Sequence, residues 1–157
     1  MKSRVEEAVA RFEEGYNCAQ AVFATYADLF GMKEEDALRL ASPMGGGMGR
    51  MREVCGAVSG MALLEGLKEG NIVPNDKNAQ GQTYATVRTM SDAFSQRHGS
   101  IICRELLGIS AREKSAVPSE RTQMYYSSRP CTKYVKSAAE FVEEYLLADE
   151  MRNDGEL

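Results

Sequence analysis

Apolar residues recur at intervals of three and four along most of the chain, and this helical period is the dominant signal in the sequence. Within residues 4–13, Val5, Ala8, Val9 and Phe12 are interleaved with Glu6, Glu7, Arg11 and Glu13, and Gly15 ends this first predicted helix. Asn17 suits an N-cap. A second helix is expected from Cys18 to about Phe30, with Ala19, Val22, Phe23, Tyr26, Leu29 and Phe30 as its apolar set. A short helix over 34–41 is stopped by Pro43. From about 52 to 68 the chain is least polar, with Val54, Ala57, Val58, Met61, Ala62, Leu63, Leu64 and Leu67, so this helix is expected to be buried on nearly all sides. Asp76 or Asn75 caps a longer predicted helix, about 77–97, which buries Ala79, Tyr84, Val87, Met90, Ala93 and Phe94. A short helix with Cys103, Leu106 and Leu107 follows the break at His98-Gly99-Ser100.

Residues 108–128 are polar and weakly periodic, which predicts a long loop holding no more than one helical turn. The last predicted helix is capped by Ser127 or Ser128, has Pro130 in its first turn, and carries Cys131, Tyr134, Val135, Ala138, Phe141, Val142, Tyr145 and Leu146. The pattern predicts an all-α, compact bundle of about five to seven helices, with a Gly-rich turn leading into a buried central helix. It forms one domain over 1–149, followed by a frayed tail over 150–157.

The Gly-rich turn is the feature that changes this picture from a plain bundle to one with a site. Gly45, Gly46, Gly47 and Gly49 are followed by Arg50 and Arg52, and then by Cys55 near a helix start. Unpaired N–H groups and the helix dipole make such a place electropositive, which favours a thiolate nucleophile, a metal-bound sulfur or an anion. The turn lacks a Gly-Lys-Ser/Thr ending and a preceding strand, so it is not a phosphate-binding P-loop. Gly56 and Gly60, four apart, allow close helix approach, either within the fold or across a homodimer interface.

Composition and charge narrow the setting. Hydrophobic residues make up 43% and charged residues 27% of the 157, ordinary for a globular protein, and the net charge of -4 gives no reason to expect nucleic acid. No stretch approaches the roughly 18 apolar residues of a membrane span, and no apolar run follows the charged N-terminus. A cytoplasmic location is therefore expected, with thiols kept reduced.

The four cysteines, Cys18, Cys55, Cys103 and Cys131, lie 37, 48 and 28 positions apart, without a Cys-x-x-Cys pair. Zinc-ribbon and thioredoxin patterns are therefore absent. What the four share is a position at or near the first turn of a predicted helix. Four thiols at positive helix ends suit a shared site, either as redox thiols or as thiolate ligands of zinc or an iron–sulfur cluster. If the site is a thiol–disulfide one, Cys55 is the expected attacking thiol. His98 is expected to mark a helix end, where a partly positive imidazole is favourable. Arg50, Arg52 and Arg104 are candidates to hold a thiolate or anion, although ordinary ion pairing also explains them.

Tyr16-Asn17-Cys18-Ala19-Gln20, Gly45-Gly46-Gly47-Met48-Gly49-Arg50, Cys55-Gly56-Ala57-Val58-Ser59-Gly60, the run from Gly99 to Gly108 around Cys103, and Cys131-Thr132-Lys133-Tyr134-Val135 follow one another in a recognisable order. On these stretches the chain resembles the C-GCAxxG-C-C family, presumed redox-active for its four cysteines. It is similar also to the non-haem part of split-Soret cytochromes, dimeric electron carriers with a [2Fe–2S] centre. The resemblance implies a redox or electron-transfer role with an unknown partner protein, but no substrate. Without Cys-x-x-Cys-His, no covalent haem is expected. Two readings from other classes stay open: a four-cysteine zinc module that ties helix ends together, and a helical interaction protein whose cysteines only fill the core.

Overall fold

The structure, a computed structural model, describes residues 1–153. Among them nine α-helices run in order: α1 (Val5–Glu13), α2 (Cys18–Tyr26), α3 (Glu34–Ala41), α4 (Gly56–Glu69), α5 (Lys77–His98), α6 (Cys103–Leu107), α7 (Gln123–Ser128), α8 (Cys131–Phe141) and α9 (Ala148–Arg152). The fold is all-α, and the only extended pairing among these residues is an isolated antiparallel bridge between Val54 and Ile102. The count passes seven because α7 occupies part of the polar stretch and α9 forms in the expected tail. The remainder of that tail, 154–157, lies outside the described residues. No described helix is long and apolar enough to cross a membrane.

The centre is shared by two helices. From Ala19 to Ala27 only Gln20 escapes burial, so α2 is more enclosed than α4, which buries Ala57, Val58, Met61 and Leu64 but leaves part of its surface half-exposed. The glycines of α4 set how closely the pair packs. A Cβ at Gly60 would lie 3.0 Å from Val22 Cβ and 3.2 Å from the Ala19 carbonyl oxygen. The small face of α4 is thus used inside the chain, not across a dimer interface. Around this pair stand α1, α3, α5 and α8.

Cap chemistry explains several boundaries. Asn17 Oδ1 accepts from Gln20 N at 2.9 Å while Gln20 Oε1 accepts from Asn17 N at 3.0 Å, a reciprocal capping box that starts α2. Asp76 caps α5 by accepting from Ala79 N at 3.0 Å. Two expectations fail here. The buried helix starts at Gly56 rather than near Arg52, because residues 46–50 and Arg52 have left-handed backbone. Ser127 and Ser128 belong to α7, so the final helix starts afresh at Cys131, after Pro130. In α5 only Met90 and Phe94 are buried, and Tyr84, expected inside, is 59% exposed.

One buried carboxylate joins the chain's two ends. Glu143 lies in a π-helical turn, Val142–Leu146, that continues α8. It accepts hydrogen bonds from Ser3 Oγ at 3.1 Å, Arg4 N at 2.7 Å and the Tyr26 hydroxyl at 2.8 Å. The wider turn rotates this side chain towards α1 and α2.

Candidate functional site

The structure puts every cysteine at a helix start. Cys18, Cys103 and Cys131 are the first residues of α2, α6 and α8, and Cys55 caps α4. All four are free thiols and line one small cavity of about 50 Å³, together with Phe12, Leu106, Tyr125 and Tyr134. Cys55 and Cys103 are buried, whereas Cys18 and Cys131 are half-exposed.

Backbone pairing sets two of these starts in register. Cys55 N donates to the Ile101 carbonyl at 2.8 Å and Cys103 N donates to the Glu53 carbonyl at 2.6 Å, on either side of the Val54–Ile102 bridge. The third start is held by the glycine turn, because Asn17 Nδ2 donates to the Ser42 carbonyl at 2.9 Å.

The turn itself is a left-handed coil. Gly46, Gly47, Met48, Gly49 and Arg50 have φ between 55° and 72°, and Arg52 follows at 61°. Left-handed backbone costs about 1–2 kcal/mol for each residue with a Cβ, so glycine at three of the six positions limits the strain. The coil is pinned by Gly49 N to the Pro43 carbonyl at 2.7 Å, Arg50 N to Gly45 at 3.1 Å, Arg52 N to Gly46 at 3.0 Å and Glu53 N to Gly47 at 2.9 Å. At Gly47 an added Cβ would lie 2.7 Å from Cys103 Cβ and 2.6 Å from Glu53 N. Gly56 faces Cys18, whose Sγ would sit 2.6 Å from a Cβ there. The glycines therefore let backbone pass against two of the four sulfurs.

Electrostatics separate the thiols. Cys18 and Cys55 are hydrogen-bonded to each other. The Cys55 thiol donates to Cys18, which lowers the Cys18 pKa to about 6; backbone N–H groups of Gly46, Ala19 and Cys18 itself add to this against the cost of burial. Cys55 is pushed well above the ordinary thiol value, by its role as donor and by burial. The glycine turn pointed to Cys55, whereas in the structure the Cys55 thiol and then the Gly46 amide favour the thiolate at Cys18. Burial raises Cys103, although the Arg52 guanidinium, 3.7 Å from its Sγ, works the other way. Burial and the neighbouring Cys18 and Cys103 push Cys131 up to about 12. This leaves one thiolate among three thiols.

Among the described residues no three His, Cys, Asp or Glu side chains are grouped so as to hold one metal ion. The four cysteines nevertheless line one cavity, and thiolates are the donor set that zinc or an iron–sulfur cluster takes. His98 is apart from the cavity. It packs on Phe94 and Tyr134 at ring distances of 4.8 and 4.9 Å, with Nε2 2.8 Å from Ser137 Oγ. It is the last residue of α5, the helix end expected of it, and burial and Arg97 lower its pKa. Arg104 pairs with Glu53 at 2.9 Å. Arg50 donates to the Ser115 carbonyl at 2.8 Å and Ser119 Oγ at 3.1 Å, pinning the polar stretch beside the turn. Arg121 and Arg129 were not singled out by the sequence. Both lie in the weakly periodic region around α7, where nothing local marks them, yet Arg121 lines the cavity.

No curated protein and no solved structure matches the chain. One family model does, over residues 16–145, a span that holds all four cysteines, the glycine turn and the Cys55–Gly60 stretch. With that span covering most of its length, the chain belongs to the family described as "Putative redox-active protein (C_GCAxxG_C_C)".

Proposed function

We propose that the protein carries out thiol–disulfide exchange with Cys18 as the attacking thiolate and Cys55 as the resolving thiol. The observation that carries this reading is that Cys18 and Cys55 line one small cavity at two facing helix starts, where their interaction lowers the pKa of Cys18 and raises that of Cys55. At neutral pH this pair is already divided into nucleophile and proton source.

With a disulfide RS–SR as oxidant, Cys18 Sγ attacks one sulfur, forming a mixed disulfide and expelling RS⁻. Loss of the Cys18 negative charge removes what held the Cys55 proton, and that proton passes to the departing thiolate. Cys55 then attacks Cys18 Sγ, closes the protein disulfide and expels the second RS⁻, which takes a proton from water. Two electrons leave the protein, and one disulfide becomes two thiols. A dithiol reductant runs the steps in reverse. The buried Cys103 and the half-exposed Cys131 remain protonated around the pair.

The test is to oxidise the reduced protein with excess bis(2-hydroxyethyl) disulfide and map the product by peptide mass spectrometry. A Cys18–Cys55 bridge is expected, Cys55→Ser should halt at a mixed disulfide on Cys18, and Cys18→Ser should form neither. A bridge elsewhere would overturn the assignment. So would stoichiometric iron or zinc in anaerobically purified protein, lost together with the fold on chelation. That outcome would favour a cluster or a zinc module. Unchanged oxidation behaviour in Cys18→Ser would overturn Cys18 as the attacking thiol, and no oxidation of the native protein would leave the cysteines as core residues only.

A further inference from the structure

A second, larger hollow opens beside the sulfur cavity. Its volume is about 360 Å³, within the roughly 300–1,000 Å³ of small-molecule sites, and four arginines line it: Arg50, Arg52, Arg121 and Arg129. Among the described residues no carboxylate lines it. Asn17, Gly46, Arg52, Arg121 and Tyr125 line both hollows, so the cleft leads directly to the thiols.

The charge in this cleft is poorly compensated. Among the described residues only Arg50 meets a carboxylate, Glu113 at 3.9 Å. Arg121 donates to the Phe12 and Tyr16 carbonyls and stacks on Phe12 and Tyr125, while Arg129 stacks on Tyr125. Arg52 is 4% exposed; among the described residues its guanidinium has one hydrogen bond, to Cys103 Sγ, and its Nε is buried without a partner. A buried guanidinium N–H left unpaired is costly, and an oxyanion entering the cleft would satisfy it. This concentration of positive charge stands out in a chain of net charge -4.

The inner cavity, at about 50 Å³, has room for a reacting sulfur and little more. We infer that the arginine cleft holds the body of a small, carboxylate-bearing disulfide while its S–S bond reaches the Cys18–Cys55 pair. This names a substrate class for the dithiol reading and rests on it. The exchange is the one balanced above, with the anionic disulfide as RS–SR and two anionic thiols as products. Guanidinium groups suit carboxylates because both are planar and pair through two parallel hydrogen bonds.

The test compares three disulfides of different charge as oxidants of the reduced protein: oxidised glutathione (anionic), bis(2-hydroxyethyl) disulfide (neutral) and cystamine (cationic). Each rate is divided by that disulfide's rate with dithiothreitol, which removes intrinsic reactivity. The anionic probe should lead the neutral one by about tenfold or more, and the neutral should lead the cationic. Arg129→Gln should cut the anionic-to-neutral ratio about tenfold, Arg129→Lys should restore part of it, and Arg39→Gln, on the distant exposed face of α3, should leave it unchanged. In parallel, binding of S-methylglutathione, which carries the carboxylates but no disulfide, is measured calorimetrically on Cys18→Ser. Equal normalised rates together with no S-methylglutathione binding would overturn the cleft and leave the dithiol standing. Binding that Arg129→Gln abolishes, with no oxidation of Cys18 by any probe, would overturn the dithiol reading and leave an anion site.

Discussion

At the scale of single residues, the division of labour between Cys18 and Cys55 is set by what each sulfur receives. Cys18 accepts a thiol hydrogen bond and three backbone N–H contacts, while Cys55 gives its proton to the pair and the Ala57 and Val58 amides only partly offset this. The sign of the pH dependence follows. Alkylation and exchange need the thiolate, and a pKa lowered from 9.0 to about 6 makes that form dominant above pH 6. Iodoacetamide should therefore label Cys18 at a rate that rises through pH 6 and is level by pH 7–8. An unperturbed thiol would still be gaining rate through pH 9. The groups facing Cys18 across the cavity are Cys55, Cys103 and Cys131, all with raised pKa, so none supplies a competing titration near neutrality. Cys55→Ala should move the inflection of Cys18 upward, because it removes the largest stabiliser of the thiolate.

At the scale of elements, the left-handed coil before α4 stores strain where its residues carry a Cβ. Met48, at φ 64° and 46% exposed, is the position with least to lose from a change. Met48→Gly should raise stability by up to about 1 kcal/mol, read as a higher urea midpoint at unchanged slope. Gly47→Ala should act in the opposite sense, by about 2 kcal/mol or more, since its new methyl meets Glu53 backbone and Cys103.

These same elements show what was legible in the sequence. Helix periods, the Asn17 and Asp76 caps and the placing of each cysteine at a helix start are local properties, and local patterning carries them. The coil's handedness is visible only as glycine content, because Met48, Arg50 and Arg52 do not announce a positive φ. The identity of the low-pKa thiol depends on Gly46 N and Cys55 Sγ reaching Cys18 across the cavity, contacts made only by tertiary packing. Arg121 and Arg129 escape for the same reason. Tyr84 was misplaced because the period of α5 continues past the point where other helices cover it.

At the scale of the whole molecule, Glu143 ties the N-terminal segment, α2 and the end of α8 together through three accepted hydrogen bonds. Burial and its bond to this carboxylate raise the Tyr26 pKa, so the hydroxyl stays a donor across the working range. Glu143→Ala leaves the Tyr26 hydroxyl and the Arg4 amide without a partner and should cost about 3 kcal/mol in chemical denaturation. The loss should not alter the pH profile of Cys18 labelling in the fraction that remains folded, because none of these groups lines the sulfur cavity.

The four helix starts that meet at that cavity come from segments 37, 48 and 28 positions apart. No sulfur finds its native neighbour through nearby chain. Closing the Cys103–Cys131 loop in an unfolded chain is favoured over the Cys18–Cys55 loop by only about 0.2 kcal/mol of chain entropy. Before folding, oxidation would therefore draw on competing pairings almost indiscriminately; after folding, it has one hydrogen-bonded pair to act on. On the dithiol reading, the order of events decides the product: the same oxidant should yield scrambled, kinetically trapped chains if it arrives first and a single two-electron couple if it arrives last.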